Sequence, residues 1–244
     1  MKLRAVILTL ISAVQVFSMS GDEILLKMDQ NRNFSSMQYR ATMTIIVGNE
    51  TRTKEMTVKA ISGEERKAMV EFTNPEDRGT KYLMIGDNLW IYFPSEKDVV
   101  RISGHMLKEG MMGSDLSYED ALRSDELRKK YSVSVIGEES IEGRKCFIIQ
   151  LDAKVRNVPY YKRKMWVEKE KFVAVKEKMY ARSGRLLKKA NLLEVKVVGE
   201  RTVPVKMEMV NKLRKDSRTV FEMHEVVFDK EMDESRFSIR YLRR

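Results

Sequence analysis

Two histidines, His105 and His224, and one cysteine, Cys146, are the whole stock of neutral-pH nucleophile and base chemistry in 244 residues. Nucleophilic catalysis needs a nucleophile with a base beside it. His224 stands among Glu222, Met223 and Glu225 and reads as a partly exposed strand residue. No G-x-S-x-G turn accompanies either histidine. Cys146 opens the run Cys146-Phe147-Ile148-Ile149. It reads as a small buried apolar residue, because a reactive thiol needs a basic, exposed setting. One cysteine and two distant histidines do not make a zinc set. The carboxylate pairs Glu64-Glu65 and Glu138-Glu139 fall at turns, and a glycine-rich phosphate loop is missing. The expectation is a protein that is not an enzyme and needs no metal or cofactor.

What the residue types do offer is apolar capture. Residues 103–116 carry Met106, Leu107, Met111, Met112 and Leu116, punctuated by Gly104 and Gly113. Methionine is flexible and polarizable and grips apolar ligands of variable shape. Glycine frees the backbone. These five apolar residues form a candidate mobile lid over a greasy site. His105 lies within it.

A lid needs a wall to close on. In Met37, Tyr39, Ala41, Met43, Ile45 and Val47 every second residue is apolar, which is the pattern of a strand with one buried face. Met56, Val58 and Ala60 continue it after a turn at Asn49-Glu50, and Ala68, Val70 and Phe72 after Gly63-Glu64. Tyr39, Met43, Met56, Val58, Val70 and Phe72 are the candidate wall. The next hairpin, residues 79–93, turns around Gly86-Asp87-Asn88. It sets Tyr82, Met84, Leu89, Ile91 and Phe93 on one face and Leu83, Ile85, Trp90 and Tyr92 on the other. Both faces are apolar, so something covers each side. Met84 and Ile91 join the candidate wall, although the pattern leaves open which face lines it.

Residues 22–32 read as a short helix with Ile24, Leu25 and Met28 on one face, and Asp22 either caps it or favours its N-terminal dipole. Ser117-x-x-Asp120 resembles a capping box that starts a helix to about residue 130. Alternating strands then follow closely to residue 228, giving eleven to thirteen in all. Strands without intervening helices exclude a βαβ architecture. One β domain over 21–244 is expected.

The first 20 residues read as a secretory signal peptide. Lys2 and Arg4 precede an uncharged apolar run, and Ser18-Met19-Ser20 supplies small residues for cleavage after Ser20. The chain that follows is then periplasmic, without a cysteine for lipid anchoring. Net charge is +10, and charged residues of both signs make up 34% of the chain. That resembles the ion-pair-rich surface of a thermophile protein, and the positive excess suits anionic lipid headgroups. Nucleic acid is disfavoured, because the basic residues are spread along strands and no binding motif is present.

Three runs carry a family resemblance: Trp90-Ile91-Tyr92-Phe93-Pro94, then Arg101-Ile102-Ser103-Gly104, then residues 112–122 with Met112-Gly113-Ser114-Asp115-Leu116-Ser117-Tyr118-Glu119-Asp120. From about residue 72 to 122 the chain resembles the outer-membrane lipoprotein-sorting proteins, relatives of the LolA carrier. The resemblance implies a mainly β fold: a curved, incompletely closed antiparallel sheet, or half-barrel, with helices over its concave face and a hydrophobic cavity between. It implies a monomeric periplasmic carrier that shields the acyl chains of a lipoprotein or lipid in outer-membrane biogenesis. An inner-membrane transporter of the resistance–nodulation–division type is the implied partner. The alternatives are an accessory subunit that carries no cargo and a lipid or lipoprotein sensor.

Overall fold

The structure, a computed structural model, describes residues 19–122 and 127–243. Helix α1 (Gly21–Asn31) comes first. Six strands follow: β1 (Ser36–Val47), β2 (Glu50–Ile61), β3 (Lys67–Phe72), β4 (Lys81–Ile85), β5 (Asn88–Phe93) and β6 (Asp98–Ile102). Two 3-10 turns (Gly104–Lys108, Met111–Gly113), α2 (Tyr118–Leu122) and α3 (Leu127–Lys130) lead to the remaining strands. These are β7 (Tyr131–Ile141), β8 (Arg144–Ala153), β9 (Lys162–Glu168), β10 (Ala174–Tyr180), β11 (Leu186–Val198), β12 (Arg201–Asn211) and β13 (Ser217–Phe228), and α4 (Ile239–Leu242) ends the described chain.

All thirteen strands form one antiparallel sheet in the order β6-β5-β4-β3-β2-β1-β13-β12-β11-β10-β9-β8-β7. The first and last strands pair in its middle, from Met37 beside Phe228 to Val47 beside Ser217. The sheet is not closed, and its two edges are β6 and β7, which are consecutive in sequence. The chain between them must therefore travel from one edge to the other. It does so across one face, here called inner.

The register follows that face through the sheet. Met43 lies beside Phe221, and Phe221 beside Met207. Two residues along β12, Met209 lies beside Ala190, Ala190 beside Glu177, Glu177 beside Met165, and Met165 beside Ile149. Register shifts at Gln38/Arg40, Leu192/Glu194 and Val135/Gly137 interrupt the ladder. Such bulges bend a strand and raise its twist.

Two apolar clusters occupy the inner face. One sits beneath the crossover and includes Met43, Met56, Phe72, Tyr82 and Ile91. The other sits beneath α1 and includes Ile24, Leu25, Met28, Ile149, Leu151 and Met165. At 11 residues, α1 is below the ~12–15 at which an isolated helix becomes even marginal in water. Its three buried side chains hold it, at about 1.5–3 kcal/mol for each one fully covered. The outer side of the 81–93 hairpin is covered as well: Leu83 packs with Phe237 and Leu242 of the C-terminal segment, beside Trp90 and Tyr92. Sequence patterning required that cover without identifying it.

Some boundaries differ from expectation. The cap of α1 is Ser20, and Asp22 lies in the acidic first turn, where its charge favours the helix dipole. Ser20 is extended, its hydroxyl accepts the Glu23 N–H (3.3 Å), and its own N–H donates to the Glu23 carboxylate (2.7 Å). The reciprocal pair satisfies two donors at once, which Asp22 inside the first turn cannot do. The helix expected over 117–130 is seen as α2 and α3, with 123–126 outside the described residues. Positions 1–18 of the expected signal peptide also lie outside them. Among the described residues, no helix is long and apolar enough to cross a membrane.

Candidate functional site

The crossover folds on itself before it reaches the sheet. Gly110 and Ser117 form an antiparallel bridge, the Met111 N–H donates to the Leu116 carbonyl (2.8 Å), and the Tyr118 N–H donates to that of Glu109 (3.2 Å). A Cβ at Gly110 would stand 2.0 Å from the Ser114 carbonyl oxygen, so only glycine fits. Here glycine serves tightness rather than mobility. Met112 beside it takes a left-handed φ of 53°, an uncommon state for a side chain with a Cβ.

Two carboxylates pin this knuckle to the second half of the sheet. Asp115 accepts the hydroxyls of Ser217 (2.6 Å) and Thr219 (2.9 Å), and its N–H donates to Thr219 Oγ1 (2.9 Å). Arg214 stands 3.7 Å from the same carboxylate and donates to the carbonyls of Gly113 (2.9 Å) and Ser114 (3.3 Å). Asp120 completes the capping box, taking the N–H (2.9 Å) and hydroxyl (2.7 Å) of Ser117. It also accepts Tyr160 Oη (2.6 Å) and Lys188 Nζ (2.6 Å). Burial opposes its charge, but Lys188 and the hydrogen bonds from Tyr160 and Ser117 outweigh burial and hold the carboxyl below its usual range. The acidic residues of the G-S-D-x-S-Y-E-D element are thus fasteners. On the first half the crossover makes apolar contacts instead. Tyr118 lies 5.8 Å, ring to ring, from Tyr82, which meets Phe72 at 5.1 Å.

Two cavities remain beneath the crossover. The first, of about 220 Å³, is walled by Tyr39, Met56, Val58, Val70 and Met84 and roofed by Met111, Leu116, Ala121 and Leu122. Arg66 also borders it. Burial pushes the Tyr39 hydroxyl up to about 12, with Arg66 pulling the other way. The second cavity, of about 200 Å³, lies over β9–β12. Met28, Leu116, Met165, Met179, Met207 and Met209 line it, together with Glu119, Asp120, Arg163 and Glu177. Arg163 and Glu177 form an ion pair there, and burial notwithstanding, Glu177 keeps the guanidinium firmly charged. Leu116 borders both cavities.

The first cavity gathers Tyr39, Met56, Val58, Val70, Met84, Met111 and Leu116. Met43, Phe72 and Ile91 share their face but are fully covered, and pack as core beneath the lid. Leu107 and Met112 pack against that core from above. Met106 is turned to solvent. The 81–93 hairpin presents Tyr82, Met84, Leu89 and Ile91 to the lid. Sequence reasoning missed the second cavity. Its strands place Arg163 and Glu177 on the inner face, where a rule of apolar residues inward reads them as exposed. The detectable signal was methionine at alternate positions 207 and 209, facing the methionines 165 and 179.

The residues weighed for catalysis are scattered. His224 touches Thr42 (3.2 Å) on the outer face, and His105 is exposed. Cys146 is buried, and burial raises its thiol pKa. Among the described residues, no three metal-binding side chains come together.

An unclosed antiparallel sheet, roofed on one face by a helix and an edge-to-edge crossover with apolar cavities below, defines a LolA-like fold. A family model described as "Uncharacterized protein" matches residues 64–244. The chain belongs to that family. It is similar to a DUF1329 family protein from Desulfovibrio piger (TM-score 0.86, 26% identity, 91% of this chain and 97% of that one). An outer membrane lipoprotein-sorting protein domain from Vibrio parahaemolyticus follows (0.82, 24%, 92% and 98%). A LolA superfamily protein from Nitrosomonas europaea shares the fold as well (0.75, 22%, 92% and 100%). No curated protein matches the chain.

Proposed function

We propose that the protein is a periplasmic carrier that shields the acyl chains of a lipoprotein or lipid on its way across the cell envelope. It acts by binding and release, without covalent chemistry. The observation that carries this reading is the crossover itself, which covers the apolar half of the inner face yet leaves cavities on both sides of Leu116. At about 200 and 220 Å³ each is smaller than the roughly 300–1,000 Å³ of typical ligand pockets. On this reading the form described is the closed one, and cargo enters as Met111 and Leu116 lift from β1–β4. Burying an acyl chain is worth about 0.8 kcal/mol per methylene, so a dozen methylenes can drive the opening. Release follows when the lid takes its own apolar contacts back.

Binding of a fluorescent fatty acid or lipopeptide tests this. Val58→Asp sets a charge in the cavity wall, where burying it without a partner is costly. It should weaken binding at least tenfold in protein that still folds by circular dichroism. Arg40→Asp, on the outer face beside Glu225, should leave binding intact. No saturable binding by the wild type would sink the carrier in favour of an accessory subunit. Equal losses in both variants would remove the cavity from the mechanism.

Export with cleavage after Ser20 belongs to the same proposal. That cut would remove the cap of α1. N-terminal sequencing of the exported protein distinguishes a start at Gly21 from an earlier one that keeps Ser20. A resistance–nodulation–division exporter is the proposed membrane partner, tested by co-purification from native envelopes.

A further inference from the structure

The outer face of the sheet carries an arrangement that the carrier reading does not use. Lys164 of β9 stands directly opposite Lys178 of β10, and Lys178 directly opposite Lys189 of β11. Three lysines thus line up across three adjacent strands, on rungs roughly 4.8 Å apart. Lys176 faces Trp166 one step along. The amines of Lys164, Lys176 and Lys178 stand 4.9, 4.8 and 5.5 Å from the centre of the Trp166 ring. Trp166 is 3% exposed and donates its indole N–H to Glu139. Among the described residues, none of the four lysines forms an ion pair.

Like charges directly opposite one another destabilise a sheet. The neighbouring strands avoid this. Lys206 stands between Glu194 and Glu222 and meets Glu222 at 2.7 Å, while Arg218 lies 3.9 Å from Glu208. The repulsion is therefore local to β9–β11. Burial and the neighbouring Lys176, Lys189 and Lys164 push the Lys178 pKa down, with Glu139 pulling the other way.

The geometry points to a docking surface for an anionic phospholipid bilayer. Lysine supplies hydrated point charges on flexible stems rather than a rigid fork, which suits the spread charge of headgroups. Protein interfaces depend on buried aromatic or arginine anchors. Here Trp166 is already covered by lysine stems, so it offers no exposed aromatic anchor. It lies opposite the cavities and does not depend on what they hold.

Vesicle sedimentation at low salt tests it, with the purified exported protein and vesicles of phosphatidylglycerol or of phosphatidylcholine. The wild type should bind only the anionic vesicles, and less at high salt. Each lysine near such a surface is worth about five-fold in partitioning, or ~1 kcal/mol. The triple variant Lys164→Gln, Lys178→Gln, Lys189→Gln should therefore bind about 100-fold more weakly and melt no lower than wild type. The control Arg40→Gln, Lys206→Gln, Arg218→Gln removes the same charge from the paired strands and should change binding less than five-fold. Equal losses would overturn the proposal in favour of bulk net charge. Failure of the wild type to bind anionic vesicles would overturn it too. Ladder-dependent capture of an acidic protein without vesicle binding would replace the bilayer with a protein partner.

Discussion

The inner faces of the two half-sheets have the same meander and different chemistry. Over β1–β5 the face is Met43, Met56, Val58, Val70, Phe72, Tyr82 and Ile91, with a buried lysine, Lys54, where β2 meets Asp77 at 2.6 Å. Over β8–β12 the same face alternates methionines with Arg163, Glu177 and Lys188. The crossover treats the halves differently. Toward the first it turns Met111, Leu116 and Leu122, which make contacts without direction. Toward the second it sends Asp115 and Asp120, whose bonds are directional. The wall that the lid meets through apolar side chains is not the wall to which its carboxylates fasten it. On the carrier proposal, a greasy cargo would compete for the first set of contacts while the second stayed fastened.

The sharpest way to break that division is Asp120→Ala. It leaves Lys188 buried with no partner, and removing one member of a buried pair costs about 3–5 kcal/mol. Denaturant unfolding should show that loss, and Asp120→Ala with Lys188→Met should recover much of it. If the single variant unfolds like wild type, Asp120 is no fastener.

Gly110→Ala should cost about 1–3 kcal/mol, the range for overpacking, because its Cβ meets the Ser114 carbonyl. Its effect should be confined to the knuckle. Hydrogen exchange should rise at residues 111–118 and stay unchanged in β7–β9. Equal loosening everywhere would mean that the knuckle is not a separate unit.

Acid should divide the halves more gently. The Asp120 carboxyl is held low in the folded state, so the unfolded chain takes up the proton first. Its contribution is present above the unfolded value of about 3.9. It fades as pH falls through the lower folded value. Exchange at residues 117–122 should therefore increase below about pH 4 before that of β1–β3. The reverse order would place the acid-sensitive contact elsewhere.

The smallest effect belongs to the cap. In chain that keeps Ser20, Ser20→Ala should lower stability by about 1 kcal/mol and loosen α1 over the second half without changing probe binding to the first cavity, whereas chain that starts at Gly21 already lacks this cap.

Much of this was legible from residue types. The alternation from Met37 to Phe72 reports strands and their buried side, because side chains on a strand point to opposite faces in turn. The two apolar faces of the 81–93 hairpin announced a cover on each. The Ser117–Asp120 pair announced a helix start, since capping is local. None of these depends on what lies far away in the chain. What tertiary structure decided were the facts of pairing. That β1 meets β13 leaves β6 and β7 as edges and sends residues 103–122 and 127–130 across the inner face. That Met43 and Phe72 are core while Val58 and Met84 border a cavity depends on where the lid rests, not on alternation. Asp115, Asp120, Arg163 and Lys188 read as surface charges until the fold brings their partners from distant strands, because a charge goes inside only where a counter-charge or hydrogen bonds await it. The lysine ladder is likewise invisible in sequence: Lys164, Lys178 and Lys189 become neighbours only through the register of three strands.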